Sequence, residues 1–181
     1  MKSFLIFFWE IFKIVIFALL IVLPIRYFLF QPFFVRGQSM VPAFENGDYL
    51  IVDQITYRFK EPQRGEVIVF KFPQNHSQRY IKRIIGLPGE TVKVEDGKIT
   101  ILDKDGSHIL DESEYLSPNL LTPGNAHIQL KENDYFVLGD NRISSADSRN
   151  WGALPRENII GRVYFRAWPF TVLAKIEVPT Y

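Results

Sequence analysis

Residues 80–102 read YIKRIIGLPGETVKVEDGKITIL, and the spacing of their apolar positions decides the fold. Three apolar-rich runs, 80–85, 91–94 and 98–102, have the length of strands and not of helices, and side chains alternate in character along the last two. Leu87-Pro88-Gly89 breaks the first join and Asp96-Gly97 the second. A two-residue Asp-Gly turn supplies the positive φ angles that suit the twist of paired strands, so it predicts a hairpin. Outward from this stretch the pattern repeats. Runs at 49–52, 66–72, 134–138 and 160–165 are divided by Arg64-Gly65, Pro73-Gln74-Asn75, Asp105-Gly106 and Pro123-Gly124-Asn125. The body of the chain is therefore expected to be mainly β. Residues 103–128, polar and rich in Pro, Gly and Asn, read as an excursion of hairpin and loop. There is no internal repeat.

The amino-terminal end is different. Residues 4–25, FLIFFWEIFKIVIFALLIVLPI, carry only Glu10 and Lys13 as charges and suffice to cross a hydrocarbon core of about 30 Å as a helix. Glu10 and Lys13 are three apart, so on a helix they share a face and pair. A buried core helix would rarely be so uniformly apolar. A cleavable signal sequence would end in a small-residue site, whereas the chain continues Arg26-Tyr27-Phe28-Leu29-Phe30. The segment is read as a transmembrane anchor spanning 1–26, with one compact domain over 27–181. Lys2 on one side against Arg26 and Arg36 on the other leaves the positive-inside count nearly tied, so orientation is not fixed by charge.

With 47% hydrophobic residues and 16 Phe the chain is too apolar to be disordered. A net charge of +1 provides no field for a phosphate backbone, which argues against nucleic acid as a partner. The absence of cysteine excludes a disulfide, a thiolate nucleophile and a Cys-ligated zinc site.

His76, His108 and His127 lie in polar or turn-like stretches, so a hydrolase built on this chain needs a base other than histidine. Ser39, in Arg36-Gly37-Gln38-Ser39-Met40-Val41-Pro42, has a glycine that permits close backbone approach and a proline that stiffens the exit. Alone, such a serine is more often an ordinary turn hydroxyl. Lys82 is the more informative residue. Alternation puts Tyr80, Lys82 and Ile84 on one strand face and Ile81, Arg83 and Ile85 on the other, so each face holds one cation among apolar neighbours. At a solvated edge Lys82 is an ordinary cation. If buried against Tyr80, Ile84 and Met40, it loses hydration, and its pKa falls toward the range in which an amine accepts a proton. The third element is the polar run from Gly139 to Gly152. There Asp147 can pair with Arg149, Asp140 with Arg83 or Arg142, and Ser145 or Ser148 can orient an amine.

Behind an amino-terminal anchor and in this order, these segments resemble the bacterial type I signal peptidases, over about residues 26–165. The matching pieces are Gly37-Gln38-Ser39-Met40-Val41-Pro42, Asn46-Gly47-Asp48-Tyr49, the strand at 64–70, Arg79-Tyr80-Ile81-Lys82-Arg83-Ile84-Ile85-Gly86-Leu87-Pro88-Gly89-Glu90, and the loop at 139–149. The resemblance implies a catalytic domain of coiled antiparallel sheets behind a single transmembrane helix. It also implies a cofactor-free and metal-free serine endopeptidase that removes signal peptides from exported preproteins. The place implied is the bacterial plasma membrane, with the domain on the outer face, the lipid bilayer beside it and the export machinery as a partner. Ser39 would be the nucleophile and Lys82 its base. Ser145 would hydrogen-bond the amine, Asp147 with Arg149 would brace the loop, and Asp140 with Arg83 would form a second pair. The Ser39 N–H would meet the oxyanion. Some members place a second donor, a serine hydroxyl, at the position held here by Gly37, so that donor is unassigned. Val35, Met40, Phe44, Tyr80 and Ile81 would line pockets for small side chains, and the aromatic run 27–34 would either dip into the lipid interface or cap the core. Ile143 and Ser144 stand where members commonly carry Asp and Asn. With the unassigned donor, they leave open a catalytically inactive membrane-anchored scaffold or binding subunit. A Ser-Lys peptidase maturing one specialised substrate is also open.

Overall fold

The computed structural model of the chain describes residues 2–24, 30–169, 174–176 and 178–179. Helix α1 (Lys2–Pro24) has 23 residues, which at 1.5 Å per residue is about 34 Å, enough to cross a bilayer. None of its 6–23 stretch is buried against protein. Lys13 Nζ donates to Glu10 Oε1 at 2.8 Å, the pairing expected of charges three apart. The expected boundary at 26/27 and the first residues of the aromatic run, 27–29, lie outside the described residues.

The rest is mainly β: β1 (Phe30–Phe34), β2 (Tyr49–Asp53), β3 (Val67–Phe72), β4 (Asn75–Gly86), β5 (Thr91–Glu95), β6 (Lys98–Asp103), β7 (Gly106–Ile109), β8 (Ala126–Gln129), β9 (Asp134–Leu138), a one-turn helix α2 (Ser148–Trp151), β10 (Leu154–Pro155), β11 (Ile159–Trp168) and β12 (Ala174–Lys175). A large sheet runs β1-β2-β11-β3-β4-β9-β10, with β12 also on β11, and a smaller one runs β7-β6-β5-β8. Their pairings are antiparallel. The Asp96-Gly97 hairpin forms as expected, with Glu95 opposite Lys98 and φ of 51° and 76° at the two turn residues.

Strand alternation sorts the core into three clusters. In β3, Val67 and Val69 join Val35, Met40, Phe44 and Leu50, while Ile68 and Phe70 join Ile84, Tyr135 and Val137. In β9, Phe136 and Leu138 turn the other way and meet Ile85, Val92, Val94, Ile99 and Ile101, which fastens the small sheet to the large one. Each fully buried Val, Ile or Phe contributes about 1.5–3 kcal/mol. A β3 buried on both faces is a fixed reference for its neighbour β4.

Two segments differ from the expectation, and a third, expected as hairpin and loop, forms its hairpin where β7 pairs with β6. Residues 30–34 form an edge strand; Pro32 hid it, since a residue without an N–H is tolerated in a sheet chiefly at an edge. The run expected at 80–85 begins at Asn75, because residues 75–79 are exposed and polar and gave no apolar signal. The excursion at 103–128 contributes β7 and β8, which flank the small sheet.

Candidate active site

Ser39 lies in the turn between β1 and β2. Gly37 takes φ +92°, a conformation L side chains avoid, and its N–H donates to Asn46 Oδ1 at 2.9 Å. Beyond the serine, Phe44 N–H donates to Met40 O at 2.8 Å, and both side chains are buried in the cluster beneath. The turn is thus moored at each end. Lys82 sits in β4 opposite Ile68 of β3, which carries its stem inward to a site where only 3% of the residue is exposed.

Lys82 Nζ and Ser39 Oγ are 2.7 Å apart. Nζ also donates to Ile81 O at 2.8 Å and lies 5.6 Å from the Tyr80 ring centroid. Burial dominates its ionisation: loss of hydration outweighs the pull of Asp147 and Asp140 and takes the amine from an ordinary 10.5 down to about 8. Both carboxylates are already occupied. Asp147 accepts Arg149 Nε and Nη2, each at 2.8 Å, and Asp140 accepts Arg83 Nε at 2.9 Å and Nη2 at 2.6 Å. These guanidinium forks offset part of the pull that the two carboxylates exert toward an ammonium at Lys82.

The same pairs build the loop after β9. Asp147 caps α2 and accepts Gly139 N–H at 3.1 Å. A Cβ at Gly139 would collide with Ser39 O and Ser145 Oγ, so glycine is what lets the loop lie against the nucleophile's backbone. Arg142, absent from the expected site except as one option for Asp140, instead holds Glu112 at 2.6 and 2.5 Å. It also donates to Thr122 Oγ1 at 2.6 Å and Gly139 O at 3.0 Å. Tyr115, three residues beyond Glu112, puts its ring 4.0 Å from Arg83 Cζ. The excursion therefore buttresses the loop. Nothing in sequence announced this, because the partners are some 20 to 30 positions apart.

Ser145 does not hydrogen-bond Lys82: its Oγ is buried, adjoining Gly139, and has no partner among the described residues. Ser148 Oγ accepts Val137 N–H at 3.0 Å and faces the sheet. Gly37 offers no side-chain donor, and its N–H is engaged by Asn46. Ile143 is 79% exposed and Ser144 is exposed as well, so the two unusual loop positions face solvent and not the dyad. A groove of about 260 Å³ opens beside Ser39 and Lys82, lined by Phe33, Val35, Arg79, Tyr80, Ile81 and Ala146 among others. Met40 and Phe44 are not among the lining residues; each is 1% exposed and they back the groove from the core. Among the described residues no cluster of three His, Asp or Glu side chains could hold a metal ion. A hydroxyl and a desolvated amine in contact, at the floor of an open groove, can perform nucleophilic acyl transfer.

The chain matches the protein family described as signal peptidase, peptidase S26, over residues 8–168. It is 38% identical to a probable signal peptidase I-1 of Synechocystis sp. over 84% of this chain and 78% of that protein. It is 39% identical to a signal peptidase I of Leptolyngbya laminosa over 90% of this chain and 80% of that one. A solved signal peptidase I from Enterococcus faecalis V583 is 34% identical, covers 57% of this chain and 97% of that chain, and superposes with a TM-score of 0.47.

Proposed function

The chain belongs to peptidase family S26, the signal peptidases, and from that premise we propose how it works. It is a serine endopeptidase that removes signal peptides from preproteins. In our reading residues 1–26 anchor it in the plasma membrane, and 27–181 form the catalytic domain on the outer face, next to the export machinery that delivers substrate. The observation that carries the chemistry is the 2.7 Å approach of Ser39 Oγ to the amine of Lys82, a residue only 3% exposed.

Neutral Lys82 accepts the Ser39 proton as Oγ attacks the scissile carbonyl carbon. The carbonyl oxygen becomes an oxyanion, met by the Ser39 N–H. The resulting ammonium returns its proton to the leaving amine as the C–N bond breaks, which leaves an ester on Ser39. Water, deprotonated by the same amine, hydrolyses that ester and restores the hydroxyl. Asp147 with Arg149 and Asp140 with Arg83 hold the loop, and Ser145 packs beside it. Val35, Tyr80 and Ile81 admit small side chains before the cut and exclude bulky ones sterically, with Met40 and Phe44 setting the depth from behind.

The test uses the full chain in detergent with a preprotein carrying small residues before its cleavage site. Ser39→Ala and Lys82→Ala should each lower kcat by about 10³-fold or more. Near-normal cleavage by either variant would exclude this dyad.

A further inference from the structure

Asn141 grips the chain on both sides of the nucleophile. Its backbone N–H donates to Ser39 O at 3.0 Å, and its Nδ2 donates to Gln38 O at 3.1 Å. The carboxamide cannot reverse without loss, because its Oδ1 accepts Ser144 N–H at 3.2 Å. Gln38 O also accepts Val41 N–H at 3.3 Å, so two donors engage this oxygen. The Val41 bond is internal to the turn and travels with it. Asn141 belongs to the loop that Arg83 and Asp147 fix against the sheet, so of the two bonds to the Gln38 oxygen its own is the one that ties this carbonyl to a different element of the site.

The Gln38–Ser39 peptide is trans; the cis bonds of the described residues are at Val41-Pro42 and Trp168-Pro169. In a planar trans peptide the carbonyl and the following N–H point in opposite directions. Holding Gln38 O therefore sets the heading of the Ser39 N–H, which makes no hydrogen bond among the described residues. A rotated peptide would present a carbonyl where a donor is needed. We propose that Asn141 is a positioning residue for the reaction: by fixing the Gln38 carbonyl, it aims the Ser39 N–H at the oxygen of the tetrahedral intermediate. This rests on the dyad reading above.

The experiment is Asn141→Ala in the full chain in detergent, which removes the side-chain donor and keeps the backbone bond to Ser39 O. We expect kcat to fall about 10- to 100-fold with KM within about two-fold, less than or equal to the loss of a donor itself. A peptide aldehyde forms a hemiacetal with Ser39 that carries the oxyanion, and it should bind more weakly by the same factor. The cleaved product peptide should bind as before, and the acid limb of the pH profile should not move. Equal weakening of both ligands together with a lower unfolding midpoint would mean that Asn141 merely braces the fold, and would overturn the proposal. So would kcat within two-fold of normal while Ser39→Ala is inactive. An active Ser39→Ala would instead remove the dyad reading itself. If Asn141→Ala does not fold, Asn141→Asp keeps the shape without the donor, and the same split is expected on the plateau above the acid limb.

Discussion

Acid should silence this enzyme by a factor that the burial of one amine sets. Lys82 is held at about 8 against an ordinary 10.5. At pH 7 about one molecule in ten then carries a neutral base, and at pH 6 about one in a hundred. An unperturbed lysine would offer about three in ten thousand at pH 7, so desolvation supplies roughly 300-fold, equivalent to about 3.4 kcal/mol between the two protonation states. The measurement is kcat/KM from pH 5.5 to 9.5 in detergent, with a peptide that does not titrate in that range, because kcat/KM reports the free enzyme. We expect a tenfold fall per pH unit below about 7 and a plateau above about 9. A flat profile between pH 6 and 8, with a solvent isotope effect showing that proton transfer limits the rate, would refute a neutral-lysine base.

The same site yields three further outcomes. Arg149→Met leaves the Asp147 carboxylate uncompensated near the amine; the acid limb should move to higher pH, with about 3–5 kcal/mol lost from stability, and an unmoved limb would contradict the neutralising role. For Lys82 the folded pKa lies below the unfolded one, so between about 8 and 10.5 the unfolded chain binds the extra proton and native stability rises with pH. Lys82→Met removes that penalty; its advantage over the native chain in urea unfolding should be largest below pH 8 and shrink by about 3 kcal/mol toward pH 10.5, whereas a pH-independent difference would place the amine in water. Gly139→Ala forces a methyl against Ser39 O and Ser145 Oγ and should cost about 1–3 kcal/mol along with at least tenfold in kcat, read by unfolding and steady-state kinetics; full activity would show that the loop need not lie so close.

The β character, the Asp96-Gly97 hairpin and the central strand carrying Lys82 were legible because each is a local pattern of alternation and turn chemistry. The pairings of Arg83 with Asp140 and Arg149 with Asp147 were legible as options, since the loop is dense in opposite charges. The edge strand β1 was not, because Pro32 argues against a strand and pairing across 30–53 is a tertiary fact. Nor were the Arg142–Glu112 clamp and the Asn141 carboxamide bond, which join residues 30 and 103 positions apart. Ser145 illustrates the converse: the resemblance implied a hydrogen bond to the amine, whereas among the described residues its buried hydroxyl has no partner, although it lies against Gly139 beside the nucleophile's backbone.

Six Cα-to-Cα steps separate Pro24, the last residue of α1, from Phe30, the first of β1. Six such steps span no more than about 22 Å. Since Phe33 of that strand lines the groove, the cutting centre is on a leash whose post is the end of the apolar helix. If the helix spans a bilayer as proposed, this would work as a ruler laid against the lipid surface: peptide bonds near that surface would come within the enzyme's radius, and identical bonds farther out in a folded passenger would stay beyond it.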